Sequence, residues 1–534
     1  MKKQNFLKGS IILMVSAVLA KGFGALFKIP LTNMLGGVGM SYFSCAYSLF
    51  LPVYALTVTG LSSAVARMTA RSAALGMYGN IRRIRFTALL IFSAAGLAGS
   101  LGVYLLSGTF SRISMGGTEA APAMMMIAPA VFFGCITAVE RGYYEGMSNM
   151  YPTALSQAVE GAVKVAAGLL LCRYVDSHGS TIMSYFPKIS DVRSLSAAAG
   201  ILGVTVSSVG AALFFMVLAL FRKKTSGSES HMQSHREIAK ELTLTALPVG
   251  VSSVVTNLTA MVDMWTIIGC IAHFGYNKPL LVGIAGEDVP NFVYGSFAGI
   301  ALTVFNLVPS VTNMLGKGAL PCITSAWAEN DKNALEAGTY QALVTSALLS
   351  VPAAFGIGVL APEILGLLFP LQSDEVQICI MPLRLLMPGM VCLCVSFPLF
   401  SMLQAVGRTS APLKIMLAGT AVKLLGNISL VPFFGADGAA LATSLCYAVI
   451  LCLALTAYIR VSGVKIKAVP FLEVFYAGAM CGGGAYLTIG ICRRLGIYGV
   501  SSAIPAIAAG AVLYIISVSL LSVRRKRDAL PCIR

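Results

Sequence analysis

The chain has 534 residues, of which 57% are hydrophobic and only 11% are charged. A soluble domain normally carries about a quarter charged residues, so a chain this apolar could not cover its own surface with polar groups. With a mean hydropathy of +0.83, the composition predicts an integral membrane protein. The net charge of +17 is not accompanied by a basic run with interleaved aromatic residues, which argues against a nucleic-acid partner.

Fourteen stretches are apolar over the roughly 20 residues that a membrane crossing needs. In chain order they are 10–33, 41–65, 86–107, 122–146, 152–175, 197–221, 241–270, 292–316, 339–369, 379–406, 411–433, 437–459, 470–492 and 502–522. We therefore predict an all-α membrane protein with about 14 transmembrane helices. Lys21 and Lys28 interrupt the first stretch, which favours an uncleaved first span over a signal peptide.

The distribution of Lys and Arg predicts the orientation. With a cytoplasmic N-terminus, the even connections and the two ends carry 26 of the 38 Lys and Arg residues, and the odd connections carry seven. Because cytoplasmic loops of membrane proteins are enriched in Lys and Arg, this bias supports fourteen spans with both termini in the cytoplasm. We predict a multi-pass protein of the cytoplasmic membrane, with membrane lipids as its surroundings.

Three segment pairs predict an internal repeat. The segment that begins at Gly60 resembles the one at Gly318, Ala162-Val163-Lys164 resembles Ala421-Val422-Lys423, and Gly200 resembles Gly438. Two similar lobes of six helices in the same orientation would result, related by an axis along the membrane normal. The predicted organisation is an N-lobe at 1–221, a cytoplasmic linker at 222–240, a C-lobe at 241–460, and spans 13–14 with a basic tail at 461–534.

Ionisable residues inside predicted spans are the candidate functional residues, because charge at membrane depth is expensive unless it serves a purpose. Lys21 and Lys28 share one face of span 1 and would form a cationic wall, although Lys28 could also extend to the outer surface. Glu160 and Lys164 are four residues apart and can pair with each other. Lys423 occupies the repeat-equivalent place of Lys164, with Gly419 where an acid would stand.

The remaining candidates lie nearer to span ends or in the second lobe. Asp263 is an interior acid of span 7 that could bind a cation or a basic residue, and Arg384 could be interfacial. Glu145 lies with Glu140 and Arg141 at the cytoplasmic end of span 4, where a solvated helix end is the plain interpretation. When Glu160 is taken to neutralise Lys164, the remaining charged residues inside the predicted spans are mostly positive. This excess favours an anionic substrate such as a phosphate or diphosphate.

The sequence lacks the common motifs of nucleotide-binding proteins, zinc proteases and serine hydrolases. There is no Gly-x-x-x-x-Gly-Lys-[Ser/Thr] loop, no His-Glu-x-x-His and no Gly-x-Ser-x-Gly turn. The 13 cysteines are scattered through apolar spans, which favours buried hydrophobic cysteine over a disulfide framework or a zinc site. We therefore expect no enzyme, no cofactor and no metal, with transport driven by an ion gradient, the membrane potential or the substrate gradient.

Several segments carry a family resemblance. These are Lys8-Gly-Ser-Ile-Ile-Leu, Gly24 with a basic residue four positions later, Ile29-Pro30-Leu31, Leu35-Gly36, and the fourteen residues from Tyr144 to Gln157. They resemble the stage V sporulation protein B branch of polysaccharide exporters. That branch belongs to the multidrug/oligosaccharidyl-lipid/polysaccharide (MOP) exporter superfamily, which includes the MurJ-type lipid II flippases.

The resemblance implies a V-shaped, alternating-access pair of lobes that exports a lipid-linked saccharide, plausible examples being lipid II and related precursors. It also implies that Lys28 contacts a diphosphate, and that spans 13 and 14 border a groove for the polyprenyl tail. MurJ-type members have basic residues just before the glycine that ends span 2, whereas here Arg67 follows it. We expect a monomer, in which Lys28 and Lys21 contact the diphosphate. The residues expected to assist in substrate binding are Lys164, Lys423, Arg67 and Arg384. Asp263, Glu145 and Glu160 would serve conformational coupling or bind a coupling ion, H⁺ or Na⁺.

Three alternatives stay open from the sequence. A cation-coupled multidrug exporter of the same fold would favour an acid-rich first lobe, yet spans 1 and 2 contain no Asp or Glu. A non-transporting membrane scaffold for cell-wall synthesis would tolerate loss of the interior charges. A membrane-embedded glycan polymerase or ligase would need a long external catalytic loop, and the external loops here reach only about 20 residues in the span assignment.

Overall fold

A computed structural model of the protein describes residues 6–185, 191–221, 233–275, 281, 284–466, 468–497 and 499–529. In the first half the helices are α1 (Phe6–Tyr54), α2 (Gly60–Ala74), α3 (Tyr78–Met115), α4 (Ala121–Gly146), α5 (Tyr151–Ser177), α6 (Gly179–Tyr185), α7 (Val192–Leu220) and α8 (His235–Phe274). In the second half they are α9 (Val289–Ser296), α10 (Leu302–Phe305), α11 (Leu307–Ala328), α12 (Lys332–Val359), α13 (Ala361–Leu368), α14 (Ser373–Ala405), α15 (Ala411–Phe434), α16 (Ala436–Ser462), α17 (Val469–Arg494) and α18 (Val500–Ala529).

Many of these helices are suited to a membrane. Among the described residues, eleven helical stretches are long and apolar enough to cross one, and a pair bent by 46° between Phe305 and Leu307 would make twelve. The prediction of a helical, multi-pass membrane protein is therefore confirmed, whereas the count of fourteen stays a prediction. One stretch, Val18–Ala74, has 57 residues. At 1.5 Å per residue it is about 85 Å long, well beyond the hydrocarbon core of about 30 Å.

Two predicted span boundaries differ from the structure. The connection expected between 33 and 41 is helical, and α1 continues through it with a break at Gly36, whose φ of 65° and ψ of −175° are not helical. The ninth predicted span, 339–369, is instead divided into α12 and α13 at Leu360. Pro362 lies in the first turn of α13, where its missing N–H is tolerated, whereas it would break a continuing helix.

The chain packs as two compact units, residues 1–268 and 269–534. Their boundary falls inside α8, and residues 222–232 of the predicted linker lie outside the described residues. The physical reason is that the first part of α8 contributes Ile238, Leu242 and Ala246 to the apolar core of the first unit. The division into repeated lobes with a linker stays a prediction.

Close helix packing in the first unit relies on small residues and apolar side chains. Leu61, Ile84 and Phe215 are almost fully buried in its core, where α2, α3, α4, α7 and α8 meet. Gly60 lies at the start of α2 against α8, and a Cβ atom there would lie 2.2 Å from the carbonyl oxygen of Ala246. Only glycine permits this backbone approach.

The second unit has a core of its own between α11, α12, α14 and α16. Leu399 and Met402 are fully buried in it. The hydroxyl groups of Thr339 on α12 and Tyr458 on α16 lie 2.7 Å apart, so this buried polar pair satisfies itself by a hydrogen bond. The helix α17 packs on α12 where a Cβ atom on Gly478 would lie 2.6 Å from Val351 Cγ1.

Candidate functional site

The first part of α1 packs on α5 through two glycines of α5. A Cβ atom on Gly161 would lie 2.5 Å from Phe23 Cδ2, and one on Gly168 would lie 2.5 Å from Phe27 Cε2. No larger residue fits at such distances, so glycine brings the α5 backbone directly onto the aromatic rings of α1. Lys164 lies one turn before Gly168 and therefore reaches the surface of α1.

Lys164 rests on aromatic rings of α1. Its Nζ atom lies 5.0 Å from the ring centroid of Phe27 and 5.8 Å from that of Tyr47. These distances are within the range in which an aromatic face attracts a cation. Lys28 follows Phe27 in the chain, is half-buried, and experiences the positive charge of Lys164. Two predicted cationic residues, one on each helix, therefore come together inside the first unit.

Glu160 does not neutralise Lys164, contrary to what their spacing allows. Its Oε2 atom instead accepts a hydrogen bond from Nη2 of Arg141 on α4, at 2.7 Å. Ser156 helps to hold the guanidinium, since Arg141 Nε donates to the Ser156 hydroxyl at 2.9 Å. The Arg141–Glu160 pair is neutral as a whole, so Glu160 does not offset the positive charge of Lys164.

An aromatic series on α1 lines this region and was missed in the sequence analysis. Phe43, Tyr47, Phe50 and Tyr54 follow one another with ring centroids 4.9, 6.0 and 4.9 Å apart. Their spacing of four, three and four residues puts them on one helix face, and this spacing is the signal that could have revealed them. Tyr54 also lies against α4, where a Cβ atom on Gly134 would come within 2.5 Å of its ring.

The C-terminal end of α4 is not a simple solvated helix end. Glu140 is buried, and its Oε1 atom accepts a hydrogen bond from Arg85 Nε at 2.8 Å. Arg141 is bound as described above, and Glu145 is half-buried in the last turn of α4. Two of these three charges therefore hold α4 to its neighbours α3 and α5.

The other predicted site residues are dispersed over the two units. In the first unit, Lys21 on α1 and Arg67 on α2 are exposed, and Asp263 on α8 is buried. In the second unit, Lys423 is buried on the face of α15 that also carries Gly419. Arg384 on α14 is exposed, and its Nε atom donates to the carbonyl oxygen of Gly358 at 3.1 Å.

A metal site needs several His, Cys, Asp or Glu side chains close together. Within the described residues, no three His, Cys, Asp or Glu side chains are grouped so that they could hold a metal ion. The cluster between α1, α4 and α5 presents ammonium and guanidinium groups together with aromatic faces. Such a set can bind an anion by charge and an attached ring by its apolar surface.

The fold is that of transporters of the MOP superfamily. The chain is similar to the structure "Lipid II flippase MurJ, inward closed conformation", with a TM-score of 0.67 and 15% identity over 98% of this chain and 100% of that one. It is also similar to an inward-facing MATE family multidrug resistance transporter, with a TM-score of 0.63 and 15% identity over 85% of this chain and 98% of that one.

Sequence comparison then defines the family. The family model described as "Polysaccharide biosynthesis protein" matches residues 6–327, and the MatE model matches residues 296–428. The chain is 23% identical to stage V sporulation protein B of Bacillus subtilis (strain 168), over 99% of this chain and 98% of that protein. It is 22% identical to lipid II flippase MurJ of the same organism, over 83% of this chain and 80% of that protein. The chain belongs to the polysaccharide biosynthesis protein family, and the predicted relationship to MurJ-type members of the MOP superfamily is confirmed.

Proposed function

We propose that the protein is an alternating-access flippase for a polyprenyl-diphosphate-linked saccharide such as lipid II. It would move this lipid across the cytoplasmic membrane for cell-wall, spore-cortex or polysaccharide synthesis. The observation that carries the proposal is the pair of cations, Lys28 and Lys164, that meets between α1 and α5 beside aromatic rings. Relatives that are lipid II flippases by name support the same substrate class.

The two lysines suit a diphosphate. A diphosphate diester carries two negative charges, and two ammonium groups balance them while donating charge-assisted hydrogen bonds. Because Arg141 already neutralises Glu160, the carboxylate does not compete with the diphosphate for the lysines. Tyr47 and Tyr54 each combine an aromatic face with a hydroxyl group, which suits the first sugar ring next to the diphosphate.

The remaining predicted residues have supporting roles in this proposal. Lys21 and Arg67 would attract the headgroup on its approach, and Lys423 would assist its binding, whereas Arg384 lies in a surface groove of the second unit. Asp263, Glu145 and Glu160 would couple binding to the change between inward-open and outward-open states, with H⁺ or Na⁺ as the coupling ion. Each assignment follows from charge inside a span, where an ionisable group is retained only at a high energetic cost.

The proposed topology has fourteen spans, both termini in the cytoplasm, and a monomeric chain. The 57-residue stretch Val18–Ala74 is long enough to supply two of these spans across the break at Gly36. The 40-residue α8 would supply another, in the place of the seventh predicted span. The excess of Lys and Arg on the even connections supports this orientation.

The test is transbilayer movement of fluorescent lipid II in proteoliposomes. We expect movement by the natural protein, and a loss of about tenfold or more in Lys164→Gln and Lys28→Ala, since each removes one charge-assisted contact. Lys164→Arg should retain most of the rate, because a guanidinium also stacks on aromatic faces. Lys414→Gln is the matched control, since Lys414 is an exposed lysine at the start of α15.

Two results would contradict the proposal. Movement that is equally fast in Lys28→Ala and Lys164→Gln would exclude the cationic site between α1 and α5. No movement by folded natural protein would exclude lipid II, and other polyprenyl-linked glycans would be tested next. Dye export driven by a Na⁺ or H⁺ gradient in the same liposomes would then favour a multidrug exporter.

A further inference from the structure

A long groove crosses the surface of the second unit between α12, α14 and α17. Its larger part is a cavity of about 540 Å³ lined almost wholly by apolar side chains, among them Val351, Phe355, Met387, Val391 and Phe475. The rings of Phe355 and Phe475 form one wall, edge to face with centroids 5.2 Å apart. This volume lies in the range of pockets that bind small apolar molecules.

The larger cavity continues into a smaller and more polar one of about 360 Å³. The two share Gly358, Val359 and Arg384 in their linings, so they form one continuous groove. The smaller part adds Glu363 and Arg493, whose Oε1 and Nη2 atoms lie 2.9 Å apart. The polar part is thus at the end of the unit where α12 and α17 end.

The charge of this polar part is a single excess positive charge. Arg493 and Glu363 neutralise each other, and Arg384 uses only its Nε donor on the Gly358 carbonyl. Within the described residues no carboxylate lies within salt-bridge distance of Arg384. An arginine within a membrane-spanning helix is costly unless an anion or water meets it.

The apolar part of the groove also has the length of one acyl chain. Along α12 its lining runs from Val351 to Val359, eight residues of helix. At 1.5 Å per residue this is about 12 Å, close to the roughly 15 Å that one acyl chain spans in half of a bilayer core. An occupant with an apolar tail and an anionic end would match both parts of the groove at once.

We propose that this groove binds an anionic phospholipid of the surrounding membrane. An acyl chain would lie in the apolar part, and the phosphodiester would accept hydrogen bonds from Arg384 and Arg493. The charge favours a phosphodiester, which carries one negative charge, over a diphosphate, which carries two. The groove shares no residue with the Lys28–Lys164 cluster, and the inference does not rest on the proposed transport activity.

The experiment is a lipid titration of purified, delipidated protein, followed by thermal unfolding and by native mass spectrometry. We expect phosphatidylglycerol to bind and to raise the Tm, and phosphatidylcholine to bind at least about tenfold more weakly, because its choline is repelled by the excess positive charge. Arg384→Gln should weaken phosphatidylglycerol binding by about tenfold. Arg494→Gln is the control, since Arg494 is an exposed arginine at the end of α17, next to Arg493, and does not line the groove.

A second variant tests the apolar part. A Cβ atom on Gly358 would make only an ordinary contact, 3.5 Å from Met387 Cγ, so Gly358→Leu should fill the groove without moving the helices. It should abolish bound phosphatidylglycerol in the mass spectrum while the Tm without lipid stays that of the natural protein.

Three results would overturn the assignment. These are unchanged phosphatidylglycerol binding in Arg384→Gln, equal binding of phosphatidylcholine and phosphatidylglycerol, and displacement of bound phosphatidylglycerol by substoichiometric undecaprenyl diphosphate. The last result would mean that the groove binds the transported lipid rather than a phospholipid of the membrane. Because binding is measured without transport, failure here is distinguishable from failure of the flippase proposal.

Discussion

Replacing Arg85 by glutamine removes the cation that neutralises a carboxylate deep in the first unit. The guanidinium of Arg85 donates from Nε to Glu140 Oε1 at 2.8 Å, and it lies 5.6 Å from the ring centroid of Tyr143. The Glu140 side chain is only 5% exposed, whereas that of Arg85 is 24% exposed. The two partners are therefore unequal, because Glu140 cannot reach solvent and Arg85 can.

This inequality decides the size of the effect. Removing one partner of a buried ion pair costs about 3–5 kcal/mol, and the partial exposure of Arg85 favours the lower end, about 3 kcal/mol for Arg85→Gln. Glu140→Gln should cost only about 1 kcal/mol, because Arg85 can extend its long side chain towards solvent. The double variant Arg85→Gln/Glu140→Gln should be more stable than Arg85→Gln alone, since no buried charge is then left without a partner.

Thermal unfolding with a thiol-reactive fluorescent dye suits this protein. Cys135 is fully buried in the same apolar core as the atoms around Glu140, so the dye reacts with it only when this core opens. The assay uses a background in which the exposed Cys452 and the half-buried Cys270 and Cys392 are replaced by alanine, so that they do not react before unfolding. At about 2 °C per kcal/mol for a unit of this size, Arg85→Gln should lower the Tm by about 6 °C. Arg82→Gln is the matched control, since Arg82 is an exposed arginine one turn earlier on α3.

The reasoning is refuted by either of two outcomes. One is a Tm for Arg85→Gln that equals that of Arg82→Gln, which would mean that the carboxylate is hydrated. The other is a double variant less stable than Arg85→Gln, which would mean that the glutamines pack worse than the ion pair.

Further predictions concern helix packing in each unit. Gly203→Ala should destabilise the first unit by about 1–3 kcal/mol, because its Cβ would lie 2.2 Å from the Cα of Gly168. Gly102→Ala, with open space around the Cβ, should be neutral or stabilising by up to about 1 kcal/mol, and the dye assay compares the two. In the second unit, Thr339→Val should cost about 1–3 kcal/mol because the buried Tyr458 hydroxyl loses its partner. Thr339→Ser, which keeps a hydroxyl, should unfold close to the natural Tm, and an equal loss in both would exclude the hydrogen bond as the cause.

Much of the helix framework could be predicted from hydropathy and proline. The predicted spans 122–146, 152–175 and 411–433 agree with α4, α5 and α15 to within a few residues. All three helices begin just before a proline, Pro122, Pro152 or Pro412, which is tolerated in the first helical turn. Apolar length and a start signal are both local properties of the sequence, so both can be recognised without the fold.

The breaks inside apolar stretches could not be predicted in the same way. Hydropathy falls around Gly36, which predicts a connection there but not a helix that continues through it. Around Leu360 hydropathy stays as high as in the helices beside it, so a sliding window cannot show that the backbone turns there. At Gly36 the φ of 65° is a conformation that glycine adopts freely, but most glycines in this chain are helical. The packing of neighbouring helices, rather than the local residues, selects which glycine bends.

In the candidate site, Glu160 pairs with a residue of another helix rather than with Lys164, which its spacing also allows. Glu160 and Lys164 are spaced for a helix-surface pair, which is worth only about 0.2–0.5 kcal/mol. Arg141 on α4 offers a half-buried, charge-assisted hydrogen bond, worth about 1.5–3 kcal/mol, and Ser156 already holds its guanidinium. The stronger interaction prevails, and Lys164 turns to the rings of Phe27 and Tyr47 instead. A partner from another helix thus leaves the ammonium of Lys164 on the side of α1 that carries Lys28, which is the second cation that the proposed diphosphate site would need.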